Sequence, residues 1–321
     1  MRPLHAEAPS ELVLYTYDSL LAKGGLGPAL FEAFEKKFQC KIKALANGDG
    51  GQILTRLKSD LDRKKPTADI VLGIDQNLWP AFKKYAEDFA PQDLKNLHPI
   101  VLIESGFVPF DYGVFSFIAD TKNLKFVPKN WNDLLNTQLK RKILLEDPRT
   151  STPGLGFILG VQQIVGADKF NDFFKQFSKQ WLTLTPSWSQ AYGLFLKGEA
   201  PLVWSYTTSE AYHQAHGDSK NRYRALEFKD GHPIQIEGAI LIKNSKRNET
   251  QTKLSKSFLE FLISKEAQAL IPEKNWMMPA RKNVPLPASF KNIPQPEKLF
   301  KSTFSEIEIK NLLKAWELSS Q

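Results

Sequence analysis

One polar stretch organises this sequence: Asp147-Pro-Arg-Thr-Ser-Thr-Pro-Gly-Leu-Gly156. An apolar run, residues 143–145, ends just before it, and an apolar segment with helical spacing, residues 157–165, begins just after it. This order predicts a strand, a polar turn and a helix N-terminus. The first turn of a helix has unpaired amide groups that can bind an anion, so the turn is a candidate ligand contact.

The predicted helix start explains two of its residues. Pro153 suits the first helical position because it has no N–H group to leave unpaired. Thr152 then occupies the N-cap position, where its hydroxyl can accept from unpaired backbone amides. We interpret the turn as one half of a clamp for an anionic group. The ordinary alternative is that Thr152 only caps the helix.

Length and composition narrow the class of protein. The chain has 321 residues, which favours two lobes over a single core. Its 42% hydrophobic content is normal for a globular protein, and no apolar run reaches the roughly 18 residues that a membrane span needs. The net charge is +8, but the basic residues are spread along the chain in pairs such as Lys64-Lys65. We therefore expect no nucleic-acid partner. The positive electrostatic potential of such a chain would also favour a phosphorylated small ligand.

The sequence offers little for metal or catalytic chemistry. Cys40 is the sole cysteine, which excludes an intrachain disulfide. His213 and His216 are spaced to lie on one side of a helix, but no carboxylates accompany them in a zinc-binding spacing. Gly-x-Ser-x-Gly, His-Glu-x-x-His and Walker motifs are absent from the sequence. We expect no cofactor, no metal site and no enzymatic activity.

Residues 1–11 are predicted to form an N-terminal tail. They lack the apolar region of a complete signal peptide, although the small residues within positions 5–8 suit the end of a cleaved one. The residues alone permit both a trimmed secreted chain and a cytosolic one.

Strands and helices alternate along most of the chain, which predicts two α/β lobes with largely parallel sheets. Two long extended segments, residues 108–118 and 234–242, interrupt this alternation and are predicted crossovers between the lobes. A ligand cleft is expected between the lobes, which can close by hinge bending. The predicted domain bounds are lobe 1 at residues 12–112 and 238–285, lobe 2 at 113–237 and a C-terminal helical segment at 286–321.

A second turn, Asp49-Gly50-Gly51, has the same setting as the first, between a predicted strand and a predicted helix. Its glycines allow the backbone to approach a ligand closely. If both helix starts face the cleft, Gly50 and Gly51 can hold a phosphate against Ser151 and Thr152. Ordinary capping in both turns is the alternative.

Aromatic and hydroxyl side chains cluster in three further segments. Residues 185–192 place a Trp where a helix begins, residues 205–209 carry consecutive hydroxyl groups at a strand end, and residues 272–279 form a loop with another Trp. An aromatic face attracts a cation, so such rings can frame a flat or cationic group, or simply pack in cores. The candidate rings are Tyr17, Trp188, Tyr206, Tyr212 and Trp276.

At these residues the chain resembles the thiamine-binding periplasmic proteins of bacterial ABC importers. The resemblance runs in order from the first strand to the last aromatic loop and so covers most of the chain. The run at 147–156 is specific to this family, whereas relatives that bind ferric iron or phosphorylated sugars share the fold without it. The matching segments are residues 15–19, 68–73, 107–113, 147–156, 188–199, 205–209 and 275–276.

The resemblance implies a two-lobed type II periplasmic-binding-protein fold, with the ligand cleft between two α/β domains. It also implies a monomeric protein of the periplasm that captures thiamine, thiamine monophosphate or thiamine diphosphate and delivers it to an inner-membrane ABC permease. The ligand contacts that it implies are Asp49, Gly50, Ser151, Thr152, Trp188, Tyr206, Thr207, Thr208 and Ser209. The further aromatic positions around the cleft are Tyr17, Tyr212 and Trp276.

The chain departs from the family pattern in two places. Members often carry a Trp where this chain has Lys23-Gly24-Gly25, and a cysteine pair where it has Phe38-Gln39-Cys40. One aromatic wall of the site is then missing or supplied by another residue. Three rival interpretations remain: a same-fold binder of ferric iron through phenolates such as Tyr206 and Tyr212, a binder of another phosphorylated metabolite, and a phosphate-ester hydrolase.

Overall fold

The computed structural model describes residues 10–65, 67–218, 221–243 and 246–320. Most of the predicted tail at residues 1–11, including positions 5–8, lies outside the described residues. The strands are β1 (Glu11–Thr16), β2 (Lys41–Ala46), β3 (Ile70–Asp75), β4 (Val108–Asp120), β5 (Ile143–Glu146), β6 (Trp181–Thr185), β7 (Leu202–Tyr206), β8 (Tyr223–Ala225), β9 (His232–Leu241), β10 (Met278–Pro279) and β11 (Leu299–Phe300). The helices are α1 (Leu26–Phe38), α2 (Gly50–Asp62), α3 (Trp79–Phe82), α4 (Thr152–Ile164), α5 (Phe170–Phe177), α6 (Trp188–Leu196), α7 (Thr208–Ala215), α8 (Glu249–Leu262), α9 (Lys265–Gln268), α10 (Ile271–Lys274) and α11 (Glu306–Ser319).

The main strands form one path in the order β2-β1-β3-β9-β4-β7-β5-β6. Parallel pairs lie towards both ends, where β1 pairs with β2 and β3, and β5 pairs with β6 and β7. Two long antiparallel strands, β4 and β9, lie in the centre. The first half of β4 pairs with β9 and the second half pairs with β7, so β4 leaves one α/β lobe and enters the other. The predicted crossovers and the two-lobed α/β fold are confirmed.

The change of partner along β4 locates the transition between the lobes. Val114 pairs with β9, and the next residue, Phe115, pairs with β7. The predicted bound between residues 112 and 113 lies close to this change, although the domain bounds themselves stay a prediction. In the predicted C-terminal segment, α11 packs on α4 and α5 of lobe 2.

An aromatic core holds the start of α4 in place. Trp204 of β7 is fully buried, and its ring stacks on Phe115 with the centroids 5.3 Å apart. Its Nε1 donates to the carbonyl oxygen of Pro153 at 2.9 Å. A buried Trp generally needs such a partner, so this bond joins the packing of lobe 2 to the turn at residues 147–156.

The predicted N-cap of α4 is wrong by one residue. Ser151 has an extended backbone, and its carbonyl oxygen accepts the first helical hydrogen bond from Leu155 N at 3.0 Å. Ser151 is therefore the N-cap, and Thr152 and Pro153 are the first two helical residues. The Ser151 hydroxyl does not cap its own helix, which leaves it available for a contact elsewhere.

The sequence also predicts a helix near residues 130–139, and this prediction is wrong. The structure has two 3₁₀ turns instead, Asn132–Leu135 and Thr137–Leu139. Between them Asn136 has an extended backbone, and its side chain accepts from Gln138 N. Asparagine offers the backbone this local alternative to helical hydrogen bonds, which explains why the helix does not continue.

Candidate functional site

A cavity of about 760 Å³ lies between the two lobes. Its volume is in the range of small-molecule binding sites. Most of the predicted site residues line it: Tyr17, Asp49, Thr152, Trp188, Tyr206, Ser209, Tyr212 and Trp276. The remaining four predicted residues do not line the cavity and are all buried: Gly50, Ser151, Thr207 and Thr208. Their individual roles in ligand binding stay predictions.

The Asp49 carboxylate connects the two lobes directly. Asp49 precedes α2 in lobe 1, and its Oδ2 accepts from Ser151 Oγ at 2.7 Å and from Trp188 N at 3.0 Å, both in lobe 2. These donors lie at the starts of α4 and α6, where unpaired groups favour an anion. The Asp49 carboxylate thus takes up the Ser151 hydroxyl, one of the donors that the sequence predicted for a phosphate.

Burial changes the acidity of this carboxylate. It raises the pKa of Asp49 from an ordinary value of 3.8 to about 6, although the bonds from Ser151 and Trp188 act in the opposite direction. Above pH 6 the group is mostly ionised and accepts both hydrogen bonds. Charge-assisted hydrogen bonds of this kind are stronger than neutral ones, so Asp49 is a strong link between the lobes.

The glycines after Asp49 allow the two turns to touch. A Cβ on Gly51 would lie 2.8 Å from the carbonyl oxygens of Arg149 and Thr150, and a Cβ on Gly50 would lie 2.6 Å from Thr152 Cγ2. Side chains larger than hydrogen would separate the turns at both positions. The two predicted halves of the clamp are therefore brought together, but they contact each other.

One wall of the cavity is built on α6. The ring of Trp188 stacks on that of Tyr192 with the centroids 4.8 Å apart and an interplanar angle of 25°. Trp188 Nε1 donates to Ser205 Oγ at 2.9 Å, and the Ser205 hydroxyl is hydrogen-bonded to that of Ser209 at 2.8 Å. Stacking and the indole hydrogen bond fix the orientation of this ring, so it presents a defined flat face.

A second aromatic group lies on the α7 and α10 side. The rings of Tyr212 and Trp276 meet edge to face with the centroids 5.3 Å apart, and His216 lies 4.3 Å from the Tyr212 ring. Trp276 has a φ of 54°, in the left-handed region that non-glycine residues rarely adopt. Such backbone strain is often found at ligand sites, and here it directs a large ring towards the cavity.

The loop that departs from the family pattern also lines the cavity, through Lys23, Gly24 and Gly25. Gly24 has a φ of 80°, and a Cβ there would have no atom within 4 Å. Space for a side chain is present, but a residue other than glycine would be strained. Tyr192 lines the opposite side of the cavity and supplies an aromatic surface that the sequence did not predict.

The floor of the cavity contains an acidic network that sequence reasoning missed. Glu237 of β9 lines the cavity, and its Oε2 accepts from Tyr17 OH at 3.1 Å. Its Oε1 accepts from Gln235 Nε2 at 2.9 Å, and Gln235 Oε1 accepts from Tyr206 OH at 2.7 Å. The available signal was the presence of polar residues in the otherwise apolar crossover at 234–242. The network orients two predicted aromatic residues, Tyr17 and Tyr206.

The phenol of Tyr206 is poorly suited to bind ferric iron. Burial, followed by the charges of Glu237 and Asp49, raises its pKa well above the ordinary value of 10.0. The neutral form, which donates to Gln235, is therefore favoured over the phenolate. No group of His, Cys, Asp and Glu side chains able to hold a metal ion occurs among the residues that the structure describes.

The two histidines on α7 have structural partners. His213 is hydrogen-bonded to Tyr192 OH through Nε2 at 2.9 Å, and His216 is hydrogen-bonded to the Tyr212 carbonyl through Nδ1 at 2.8 Å. They therefore support the aromatic side chains around the cavity.

Within the described ranges, none of the helices has the length and apolar character to cross a membrane.

The sequence matches a known protein family. The family model for bacterial extracellular solute-binding proteins matches residues 65–306 of this chain. This chain belongs to that family. The matched region of this solute-binding protein includes both crossing strands and the turn at residues 147–156, and it confirms the family relationship that the sequence indicated.

Individual relatives narrow the comparison. The thiamine-binding periplasmic protein of Brucella melitensis is 42% identical to this solute-binding protein over 297 residues, which cover 91% of the chain and 86% of the relative. The protein of the same description from Escherichia coli K12 is 40% identical over 299 residues, with coverages of 92% and 88%. A solved periplasmic thiamin binding protein has a TM-score of 0.88 at 36% identity and covers 98% of this chain and 99% of its own. The predicted type II periplasmic-binding fold is confirmed.

More distant structures share the architecture only. Iron-bound HitA from Pseudomonas aeruginosa has a TM-score of 0.77 at 17% identity and covers 98% of this solute-binding protein and 100% of its own chain. A likeness at this identity concerns the fold and does not extend to the ligand.

Substitution of Asp49 should change the closure of the lobes. Asp49→Ala removes the acceptor for Ser151 and Trp188, so we expect more open molecules and a larger radius of gyration in small-angle X-ray scattering of the ligand-free protein. Asp49→Asn keeps an acceptor oxygen and should scatter more like the wild type. Glu273→Ala, which removes an exposed acidic side chain from the same cavity lining, is the charge control. Identical scattering of Asp49→Ala and wild type would contradict a link between the lobes.

Asp49 should also affect stability in a pH-dependent way. Between its ordinary pKa of 3.8 and its native pKa of about 6, the native state keeps a proton that the unfolded state releases. The stability that this proton contributes is therefore lost as the pH rises through this window. The side chain that Asp49→Asn introduces does not titrate. The free energy of unfolding of this variant minus that of wild type should therefore increase from about pH 4 to about pH 6 and then level off.

The comparison with wild type is essential because a buried histidine changes the stability with pH in the opposite direction to Asp49. Burial lowers the pKa of His213 to about 4, so this residue makes the protein more stable as the pH rises. Its contribution is common to both proteins and cancels in the difference. Urea denaturation at several pH values measures that difference, and a value independent of pH would show that Asp49 has an ordinary pKa.

Proposed function

We propose that this chain is the periplasmic substrate-binding component of an ABC importer and that it binds thiamine, thiamine monophosphate and thiamine diphosphate in the interlobe cavity. The observation that carries the proposal is the combination of two aromatic surfaces with the carboxyl groups of Asp49 and Glu237 in one cavity. Thiamine has two flat rings, and its thiazolium ring carries a permanent positive charge. The names of the relatives at 40–42% identity support the same ligand.

The aromatic walls suit the rings of this ligand. Trp188 and Tyr192 present one stacked surface, and Tyr212 and Trp276 form another. A cation over an aromatic face gains about 0.5–2 kcal/mol, with the higher value for a site that excludes water. Glu237 and Asp49 add negative charge to the same cavity. A cationic aromatic compound is therefore favoured over a neutral sugar or a free anion.

The phosphate of an ester has a proposed place at the starts of α2 and α4, near Gly50, Ser151 and Thr152. Ser151 Oγ donates to Asp49, so a phosphate must compete with this carboxylate for the hydroxyl. Protonation or displacement of Asp49 would free the donor. We therefore propose that all three thiamine forms use the same ring contacts and differ in how Asp49 and Ser151 are arranged.

The proposed partner is an inner-membrane permease, to which a monomeric, closed and loaded protein delivers its ligand. Domain closure around a ligand is the usual movement in two-lobed binding proteins. We expect no catalytic turnover. Incubation with thiamine diphosphate should release no inorganic phosphate, whereas sustained release above a protein-free control would support the hydrolase interpretation.

Calorimetry tests the proposal directly. The protein should first be unfolded and refolded, because thiamine that copurifies would mask binding. Titration with thiamine and with each phosphate ester should then give saturable binding and quenching of tryptophan fluorescence. Lack of binding heat and of quenching with all three compounds would contradict the proposed function, and a visible phenolate absorption band would favour iron.

Trp188 should matter equally for every form of thiamine, since all contain the rings. Trp188→Ala is expected to weaken each affinity by about tenfold or more, because truncation of a central Trp typically costs about 2 kcal/mol and 1.4 kcal/mol is a factor of ten. Trp188→Phe keeps a stacking face and loses the bond to Ser205, so its loss should be smaller. Unchanged affinity in the alanine variant would exclude Trp188 from the ring site.

A further inference from the structure

Three buried acidic residues lie side by side across the floor of the cleft. Glu237 of β9 is in register with Asp75 of β3 on one side and with Asp111 of β4 on the other. Glu237 lines the cavity and is 7% exposed, whereas both aspartates are fully buried. Like charges placed opposite each other on neighbouring strands are destabilising, so this row needs a physical explanation.

The outer member, Asp75, is satisfied by its own turn. Its Oδ1 accepts from Leu78 N at 3.0 Å, and its Oδ2 accepts from Asn77 Nδ2 at 2.9 Å. These bonds account for both oxygens without Glu237. Burial is the main cause that raises the pKa of the Glu237 carboxyl group, and the charge of Asp75 adds to it. Burial also raises the pKa of Asp75 itself to about 7.

The other two residues, Asp111 and Glu237, are neighbours across the strands. Asp111 Oδ2 accepts from Asn275 Nδ2 at 2.6 Å, whereas Oδ1 receives no donor from the amide, hydroxyl and basic groups of the described residues. Asp111 and Glu237 are paired in register on neighbouring strands, so their buried carboxyl groups are placed to share a hydrogen bond. Two carboxyl groups can form such a bond only with a proton between them, and a proton on Asp111 Oδ1 would supply it.

The surroundings of the pair retain this proton. Burial, and then neighbouring negative charge, raises the pKa of both Asp111 and Glu237. After burial, the charges of Asp75 and Asp49 raise the pKa of Glu237, whereas hydrogen bonding with Tyr17 and Asp111 lowers it. The facing phenols of Tyr17 and Tyr206 have raised pKa values and stay neutral. The remaining charged or titratable residues of the cavity lining are Asp18, Lys23, Tyr192, Tyr212, His216, Glu273 and Lys274.

We propose that the Asp111–Glu237 pair selects the cationic ring of the ligand and releases its shared proton when that ring binds beside Glu237. The proposal rests on the function proposed above and assigns Glu237 as a specificity-determining residue. Protons and charge are conserved in this step. The free protein has one proton on the carboxyl pair; when the cationic ligand binds, both carboxyl groups are ionised and this proton passes to the solvent. The positive ring replaces the proton as the charge that keeps the two carboxylates together.

Proton release distinguishes this arrangement from a passive acidic surface. Isothermal titration of wild-type protein with thiamine near pH 7, in three buffers of different ionisation enthalpy, should give a binding enthalpy that depends on the buffer. The dependence should correspond to the release of up to one proton per ligand. A thiamine analogue in which a neutral thiophene replaces the thiazolium ring keeps the pyrimidine and should release none, so it also corrects for protons exchanged by the pyrimidine.

Glu237→Gln should abolish the buffer dependence and weaken thiamine binding by roughly tenfold to a hundredfold, since a hydrogen bond or contact to a charged group contributes about 1.5–3 kcal/mol. The affinity for the neutral analogue should change by less than about threefold on the same scale. Asp111→Asn is the second variant. It keeps Glu237 and supplies an amide donor without a titrating proton, so thiamine should bind without proton release.

Two results would overturn the proposal while leaving thiamine binding intact. One is a buffer-independent enthalpy for wild type between pH 6 and pH 8. The other is an equal loss of affinity for thiamine and for the neutral analogue in Glu237→Gln. Failure of the wild-type protein to bind thiamine at all would overturn both this proposal and the proposed function.

Discussion

The antiparallel pairing of β4 with β9 is the constraint on which the rest of the molecule depends. These strands pass from one lobe to the other, and their register places Asp111 opposite Glu237 under the cavity. The close approach of other groups depends on them too: a Cβ on Gly113 of β4 would lie 2.7 Å from Met277 Cε and 2.8 Å from Tyr206 Cδ1. A shift of one residue would turn these side chains to the other face of the sheet and remove the floor of the site.

A second constraint acts within the cleft, where Asp49 links the lobes. Its carboxylate accepts from Ser151 and Trp188, residues that lie 102 and 139 positions later in the sequence. The two links differ in character, since the crossing strands fix the hinge and Asp49 stabilises one hinge angle. Under the proposed function an ester phosphate would use the same donors as Asp49, so closure of the cleft and recognition of the ligand tail would be coupled through this side chain.

The sequence allowed most of the architecture to be predicted. Alternating strands and helices and two long extended crossovers led to the two-lobed fold, since each follows from local hydrophobic patterning. The helix predicted at residues 130–139 does not form, because Asn136 uses its side chain to hold the backbone extended. The short strands β8, β10 and β11 were also missed, because two or three residues carry no periodic signal.

The site was predicted less completely than the fold. Aromatic and turn residues such as Trp188 and Thr152 were found because their residue types and positions are unusual. Glu237 was overlooked because its importance arises from register with Asp75 and Asp111, which are far from it in the sequence. The Asp49–Ser151 bond was missed for the same reason: a contact between lobes depends on how they close.

Native mass spectrometry of the protein purified under non-denaturing conditions tests the central claim most directly. If the cavity binds a flat cationic vitamin, the complex should carry an added mass equal to thiamine or to one of its phosphate esters. Collisional release should return that compound intact, and Trp188→Ala should lose it. A different solute at full occupancy, retained equally by the Trp188 variant, would contradict the account.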